Sequence, residues 1–202
     1  LHRLVHRELS PVIRTAAHLI GAHTLVDGSR VHLAGGTCAQ LLVRGRCRLT
    51  GSGTIRTLRV MHRDDAVWAA GLTVERLLVS RGAAVLKHCR LEGASNHCVL
   101  ASRCKLRLDH CDVQHTKPGT HYVGVHARRT SLRMRDCRVR RCFAGLQLED
   151  CQDTLVERTA VRECREGVIL ERCRRPSEGG VRLERCSLRE VSMGLQLQDC
   201  SH

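Results

Sequence analysis

Apolar and polar residues alternate over short stretches of the chain. Leu132 and Met134 are separated by one residue, as are Leu146 and Leu148, and these runs are brief. A period of two is that of a β-strand whose alternate side chains face opposite sides, whereas a helix repeats every 3.6 residues. Single glycines separate many runs, as at bends. The pattern therefore predicts an all-β chain of many short strands joined by tight turns.

The spacing of the cysteines shows that these strands belong to a repeat. The interval from Cys89 to Cys111 recurs from Cys142 to Cys164, which gives a period of about 22 residues, in the range of solenoid repeats. No two of the 13 cysteines are separated by only two residues, which does not fit the common zinc-knuckle or thioredoxin spacings. Cysteines at a fixed phase are typical of a repeating architecture.

Longer segments align on this phase. Val139 to Cys151 lies over Val161 to Cys173 and Leu188 to Cys200, with Gly145, Gly167 and Gly194 at the same position. A half-unit recurs as Leu106-Arg-Leu-Asp-His-Cys111, Leu132-Arg-Met-Arg-Asp-Cys137 and Val181-Arg-Leu-Glu-Arg-Cys186. Two cysteine intervals are longer than this period, which predicts insertions at turns in Gln114 to Val123 and Arg174 to Gly180.

Short strands, glycine bends and this period predict a right-handed parallel β-helix of about eight 22-residue coils, each stacked about 4.8 Å above the last. We expect the β-helix to cover residues 21–202, with degenerate coils in its upstream half. Residues 1–20 form the lead-in. Within them, Leu1 to about Ala17 has apolar residues at helical spacing and Ser10-Pro11 as a start signal, which predicts an N-terminal capping helix.

The repeat units resemble those of known β-helix proteins. Gly-Leu-Gln-Leu-Glu-Asp-Cys and Leu-Arg-Met-Arg-Asp-Cys are similar to the repeats of pectate lyases and polygalacturonases. They are more similar still to the cysteine-rich, non-catalytic β-helix segments of F-box proteins and of the SHC-binding protein family. The resemblance covers Thr24 to Cys200 and implies a scaffold, since a repeat identifies an architecture and not an activity.

Composition narrows the classes of partner. Hydrophobic residues make up 42% of the chain and charged residues 27%, so the chain is expected to fold. The net charge is +14, which favours acidic partners. The longest apolar candidate, Ala66 to Val74, is far too short for a membrane span, and we expect no membrane partner.

The cysteines are expected to be small apolar residues of a narrow core. Stacked cysteines such as Cys142 with Cys164 come close enough for a disulfide, and that alternative stays open. Single columns of sulfur do not converge as a metal site requires, so no metal or cofactor is expected. Reduced thiols predict an intracellular, reducing compartment, either cytoplasmic or associated with the cytoskeleton.

Arginines at two repeat phases are the main candidate binding residues. The alignment places them outward, in one column of Arg107, Arg133 and Arg182 and a second of Arg140, Arg162 and Arg189. One interpretation is a solvated face of mixed charge, because glutamates flank both columns. The other is a basic stripe that meets an acidic partner surface through its guanidinium groups.

The two insertions supply further candidate contacts, because protruding loops on a rigid scaffold commonly bind partners. The first contributes His115, Lys117, His121 and Tyr122, and the second contributes Arg174 and Arg175. Convergence of His115, His121 and His126 would make a metal site, but a surface loop is the favoured interpretation.

Two other functional classes stay open. A polysaccharide lyase or hydrolase needs converging carboxylates, and of the catalytic elements shared by related hydrolases only Asp64-Asp65 is present, so we expect no catalytic residues. A nucleic-acid-binding module would use the positive charge, but with only three aromatic rings it has little surface for base stacking.

The repeat continues to Cys200 without a polar cap, so we expect an open final coil covered by a larger complex or by further chain. Together these features predict a non-enzymatic scaffold for protein contacts. An acidic cytoskeletal surface is one candidate partner.

Overall fold

The chain forms parallel β-strands throughout the part that the structure describes. A computed structural model describes residues 12–14, 22–93, 96–116, 121–174 and 179–200. The strands, in chain order, are β1 (Val12–Arg14), β2 (Ala22–Leu25), β3 (Arg30–Leu33), β4 (Thr37–Val43), β5 (Arg46–Gly51), β6 (Thr54–Val60), β7 (Ala66–Ala70), β8 (Thr73–Val74), β9 (Leu77–Ser80), β10 (Ala83–Lys87), β11 (Arg90–Gly93), β12 (His97–Ser102), β13 (Lys105–Asp109), β14 (Asp112–His115), β15 (Val123–Arg128), β16 (Ser131–Arg135), β17 (Arg138–Arg140), β18 (Ala144–Glu149), β19 (Thr154–Glu157), β20 (Ala160–Glu171), β21 (Val181–Glu184) and β22 (Ser187–Gln198).

The first sheet takes one strand from each successive turn of the chain. Its nine described strands lie in the order β1-β3-β5-β7-β10-β13-β16-β19-β21. Ala83 pairs with Lys105, at the interval of the cysteine repeat, and Lys105 pairs with Ser131 across a longer turn that contains the first insertion. Upstream the interval is shorter, since Arg30 pairs with Arg48. The shorter upstream turns explain why the cysteine phase weakens there.

The second sheet takes two strands from most turns and bends between them. Its order runs β2-β4-β6-β8-β11-β14-β17-β20 and then back through β18-β15-β12-β9, with β22 also paired to β20. Both runs meet in the long strand β20. Its first part, Ala160 to Arg162, pairs with β17, and its last part, Glu166 to Glu171, pairs with β18. Parallel pairing at a repeating offset, turn after turn, is compatible with the predicted parallel β-solenoid.

The predicted N-terminal capping helix is wrong at the three residues of its segment that the structure describes. Val12–Arg14 is a strand, β1, which pairs in parallel with Arg30–His32 of β3. The remaining residues of that predicted helix lie outside the described residues. No helix in the described part of the chain is long and apolar enough to cross a bilayer.

The core lies between the sheets and is filled by aliphatic side chains and cysteine. Alternate residues of each strand point inward, as in β10, where Ala84 and Leu86 are buried between half-buried neighbours. The buried set contains leucine, valine, isoleucine, alanine, methionine and cysteine but none of the three aromatic side chains. The period-two prediction is confirmed by this alternation.

Left-handed backbone conformations occur at the bends between strands and at one position inside each of the long strands β20 and β22. The non-glycine residue at such a bend is followed by a cysteine in ten cases, at Cys89, Cys104, Cys111, Cys137, Cys142, Cys151, Cys164, Cys173, Cys186 and Cys200. A positive φ costs a non-glycine residue about 1 kcal/mol or more, so each bend needs compensation. The backbone supplies part of it, because the amide of His110 donates to Arg135 O of the next turn at 2.9 Å.

Where a cysteine follows the bend, its thiol supplies a second compensating contact. Cys137 Sγ donates to Arg135 O two residues back and to Leu108 O of the preceding turn, both at 3.3 Å. Where threonine replaces the cysteine, its hydroxyl makes the equivalent bond, as Thr159 Oγ1 does to Glu157 O at 3.1 Å. The cysteines are therefore corner residues that join an apolar body to a weak hydrogen-bond donor.

All 13 thiols are free, and eleven are buried. Burial raises the pKa of Cys151 to about 12 and that of Cys47 to about 11, with the Asp27 carboxylate adding to the shift at Cys47. Both thiols are therefore protonated at neutral pH, the form that donates to a carbonyl.

The glycines of the repeat mark a close approach of successive turns. Gly124, Gly145, Gly167 and Gly194 occupy one stacked column in the second sheet. A Cβ at Gly145 would lie 2.7 Å from Gly167 O, which leaves no room for any side chain. Upstream, glycine also takes the left-handed corner. Gly71 has a φ of 74° and donates to Lys87 O, as His88 donates to Asp109 O one turn later.

We expect Cys137→Ala to lower the free energy of unfolding by about 1 to 2 kcal/mol, because it removes buried volume and the shared thiol donor. Cys137→Thr should lose less than half as much, since Thr159 fills the equivalent corner one turn later. Urea denaturation of the two variants measures the difference. A threonine variant as unstable as the alanine variant would contradict the role given to the donor.

Candidate basic groove

The first predicted arginine column is interrupted. Arg107 pairs in register with Arg133, but Arg133 pairs with Leu155, and only then does Leu155 pair with Arg182. The alignment overlooked strand β19 because its corner carries Thr159 in place of a cysteine. The three arginines therefore lie on one face but do not form a continuous column, and Arg107 donates to Asp109 at 2.8 Å.

The second predicted column is continuous. Arg140 pairs with Arg162 and Arg162 with Arg189, so their predicted stacking is confirmed, while their role in binding stays a prediction. Arg140 is half-buried and donates to Asp112 at 2.9 Å. Arg162 and Arg189 are exposed and have no ion pair among the described residues.

The first insertion differs from the expected surface loop. His115 is fully buried and stacks on Tyr122, with the ring centroids 3.7 Å apart, so it is part of the protein interior. His121 is exposed, and its ring lies 6.2 Å from that of Phe143. Lys117 lies outside the described residues. In the second insertion Arg174 is exposed, and Arg175 lies outside the described residues.

His126 does not join His115 and His121. Its Nδ1 lies 3.2 Å from Nε2 of His97, one turn away. Within the ranges that the structure describes, no group of three or more His, Cys, Asp or Glu side chains is placed to hold a metal ion.

A groove at the bends that lead into strands β10, β13 and β16 of the first sheet contains a cluster of cations that was not predicted from the sequence. We call it the basic groove and define it by Arg63, Arg81, Arg103, Lys105 and Arg129, which line a cavity of about 1020 Å³. Its floor includes Ala83 and Ser131, and Asp150 and Asp153 lie at its far end. The signal in the sequence was an arginine two residues before the start of β10, β13 and β16, as in Ser80-Arg81-Gly82 and Ser102-Arg103-Cys104.

The backbone stacks three of these arginines at one corner. Arg81, Arg103 and Arg129 all have positive φ, at 65°, 50° and 50°. Arg81 N donates to Ser102 O and Arg103 N donates to Arg128 O, both within hydrogen-bond distance, so the three lie on consecutive turns. Neighbouring strands lie about 4.8 Å apart. Like charges at that separation repel by roughly 1 kcal/mol in a water-like dielectric.

Ion pairing along this corner is uneven. Arg129 lies 3.4 Å from Asp150, and Arg172, one turn further on, lies 3.2 Å from the same carboxylate. Arg63, Arg81, Arg103 and Lys105 have no ion pair with any described residue, and all four are exposed. The groove therefore has uncompensated positive charge at one end and carboxylates at the other.

The groove continues onto the outer face of the first sheet. An adjoining cavity of about 840 Å³ shares Ala83, Lys105, Ser131 and Asp153 with it and adds Val85 and Leu155 to the floor. Arg133 and Arg182 lie at its side. The surface is therefore a shallow trough of small and apolar residues bordered by cations.

Asp65 braces the turn that carries Arg63. It is 5% exposed, and its carboxylate accepts hydrogen bonds from Gly45 N at 2.8 Å and His62 N at 3.0 Å. The turn packs on Gly82, where a Cβ would lie 2.7 Å from Asp65 O. Both Asp65 oxygens are thus engaged by the backbone, while Asp64 is exposed. The geometry assigns Asp65 to positioning the groove.

The three aromatic side chains already have partners. The Arg48 guanidinium lies 4.3 Å from the centre of the Trp68 ring, and Arg165 lies 5.3 Å from that of Phe143. Tyr122 stacks on His115. Each of the three rings is therefore already in contact with another side chain.

We expect Asp65→Ala to lower the free energy of unfolding by about 2 kcal/mol, because two backbone amides lose their acceptor. Asp64→Ala, at an exposed neighbour, should change it by less than about 0.5 kcal/mol. Chemical denaturation of both variants tests this. Equal, small effects would show that the turn does not depend on the buried carboxylate.

The His97 and His126 pair predicts a loss of stability in acid. Burial lowers the pKa of both imidazoles, and the His126 charge and Arg76 lower that of His97 further, whereas Glu149 and Glu171 partly oppose the shift at His126. The folded state therefore favours the neutral rings. Their contribution to stability is complete above the ordinary histidine pKa of about 6.5 and is lost as pH falls through the lowered values.

His126→Gln should flatten the fall in unfolding free energy between neutral pH and pH 5, since Gln147 already occupies the paired position one turn later. His121→Gln, at an exposed histidine, is the control and should leave the fall unchanged. Denaturation curves at several pH values check both, and an unaltered profile in His126→Gln would remove the pair as the cause.

Comparison of the chain with models of known families, with curated proteins and with solved structures found no match to any of them.

Proposed function

We propose that this protein is a non-enzymatic scaffold that captures an acidic partner protein on its basic groove. The supporting observation is the group of four exposed cations, Arg63, Arg81, Arg103 and Lys105, without an ion pair among the described residues. Elsewhere on the same corner a carboxylate accompanies the arginines. Uncompensated charge raises local repulsion, which an acidic ligand would relieve.

The proposed scaffold is a right-handed parallel β-helix of about eight coils, similar in style to the non-catalytic segments of F-box and SHC-binding proteins. Parallel strands in stacked register support the solenoid. Such a rod would hold the groove on a fixed surface, because each turn is hydrogen-bonded to the next. The free thiols support a reducing, intracellular compartment, and an acidic cytoskeletal surface is one candidate partner.

A second contact surface is part of the proposal. Strand β22 pairs with β20 alone among the described strands, and Met193, Leu195 and Leu197 on it are 43%, 50% and 49% exposed. Exposed apolar side chains in a row favour contact with another polypeptide segment, which would be a partner in a larger complex or a further segment of this chain.

Two alternatives receive less support. For polysaccharide cleavage, Asp65 would have to leave the backbone amides of Gly45 and His62, whose hydrogen bonds it now accepts. For nucleic acid, ring stacking is weak because Trp68, Phe143 and Tyr122 are already in contact with other side chains.

The proposal is tested with a fluorescein-labelled glutamate-rich peptide and a single-stranded oligonucleotide of equal charge. Substituting Arg81, Arg103 and Lys105 together by Gln should weaken peptide binding roughly tenfold to a hundredfold, at about 0.5 to 1 kcal/mol for each contact. Fluorescence anisotropy at two salt concentrations measures it.

A matched variant with Arg140, Arg162 and Arg189 changed to Gln removes the same charge and should weaken binding less. The opposite ranking would move the binding site to that column. Failure of the unaltered protein to bind the peptide would reject the proposed function, and clearly tighter binding of the oligonucleotide would favour a nucleic-acid-binding module.

A further inference from the structure

The charge pattern along the corner points to a particular anion. Arg81 and Arg103 lie on consecutive turns and have no carboxylate partner among the described residues. Two turns further along the same corner, Asp150 lies between Arg129 and Arg172 and is paired with both. Where the fold neutralises this corner, Asp150 is thus shared by two guanidinium groups, and Glu149 also pairs with Arg172. The pair at Arg81 and Arg103 lacks this internal anion.

The unfilled position is surrounded by further cations. Arg63 reaches the same groove from the turn braced by Asp65, and Lys105 follows two residues after Arg103 at the start of β13. A ligand between Arg81 and Arg103 would thus face four positive charges. A carboxylate brings one negative charge and two oxygens. A phosphomonoester brings a charge of about −1.5 to −2 and three acceptor oxygens, enough for two guanidinium forks at once.

The two ends of the groove also limit how a ligand can lie. Asp150 and Asp153 line the end that is reached after Arg129. They would repel an anion placed there, so the favourable position is between Arg81 and Arg103. The surface between the ends includes the small residues Gly82, Ala83 and Ser131, and Lys105 lies between Ala83 and Ser131 in the strand register, so an extended backbone would run past one of the four cations. A bound peptide with its anionic group between Arg81 and Arg103 would therefore place its neighbouring residues beside Asp150 and Asp153.

We propose that the basic groove binds a phosphoserine or phosphothreonine segment of the partner protein, with the phosphate between Arg81 and Arg103 and a basic or neutral residue beside Asp150 and Asp153. This inference rests on the proposed function, since it specifies the acidic feature that the scaffold recognises. Protein phosphate is favoured over nucleic-acid phosphate because each phosphodiester has a single charge and the three aromatic rings of the described chain are already in contact with other side chains.

The test compares three labelled peptides that differ at one position. Each has serine, phosphoserine or glutamate in a glycine- and serine-rich background, followed by a lysine that would face Asp150. Anisotropy should show the phosphoserine peptide binding at least tenfold more tightly than the glutamate peptide, with the serine peptide weakest. Adding inorganic phosphate should compete only at much higher concentration than the phosphopeptide.

The variant Arg103→Lys keeps the charge and the position but loses the planar fork that holds two oxygens. It should weaken phosphopeptide binding about tenfold and glutamate-peptide binding less than threefold. Arg162→Lys, at an exposed and unpaired arginine of the second column, is the matched control and should change neither. Circular dichroism and denaturation midpoints confirm that both variants fold.

The outcomes separate this inference from the proposed function. Equal binding of the phosphoserine and glutamate peptides would overturn the phosphate inference and leave the acidic-partner scaffold standing. An equal loss in Arg103→Lys and Arg162→Lys would overturn the assigned position. Binding of none of the peptides, including the glutamate-rich peptide used above, would overturn both proposals.

Discussion

The structure depends on making a sharp bend at the same place in every turn while leaving the stacked backbone hydrogen bonds intact. A left-handed residue produces each bend, and its amide donates to the next turn, as His110 does to Arg135 O. Where a cysteine or threonine follows, its side chain donates to the carbonyl two residues back. Because the cysteine side chain is small and largely apolar, it can lie in the core and still donate to a carbonyl. The cysteines therefore stabilise the bend by filling the core beside it and by donating to nearby carbonyl groups.

The same geometry determines where charge accumulates. A residue with positive φ at a bend points its side chain away from the core, so Arg81, Arg103 and Arg129 project from one corner on consecutive turns. Parallel stacking then turns single arginines into a ladder. Asp150, on a later turn, pairs with Arg129 and Arg172 and neutralises that end of the ladder. The end that carries Arg81 and Arg103 stays positive. The basic groove is thus a direct consequence of the repeat, and Asp65 adds Arg63 to it by bracing an adjacent turn.

Much of the fold could be predicted from the pattern, and less of the candidate site. Period-two alternation correctly indicated strands, and the interval between Cys142 and Cys164 indicated which turns stack. The alignment was less successful where the corner residue changed: Thr159 concealed strand β19, so Leu155 between Arg133 and Arg182 was missed. Upstream, Gly71 replaces the cysteine corner and the turns shorten, so the same phase could not be followed. His115 was placed in a surface loop because its burial against Tyr122 depends on contacts distant from the local pattern.

Local periodicity and side-chain size were enough to predict β-strands, the repeat interval and the alternation of inward and outward residues. Which charges lack an ion pair in the described part of the chain depends instead on contacts between turns. Arg140 and Arg162 look alike in the repeat, yet one pairs with Asp112 from an earlier turn and the other has no ion pair among the described residues. Likewise Asp64 and Asp65 are adjacent and chemically identical, but only Asp65 is turned toward the amides of Gly45 and His62. Such differences arise from contacts between turns, whose register and side-chain direction are settled only when the whole stack forms.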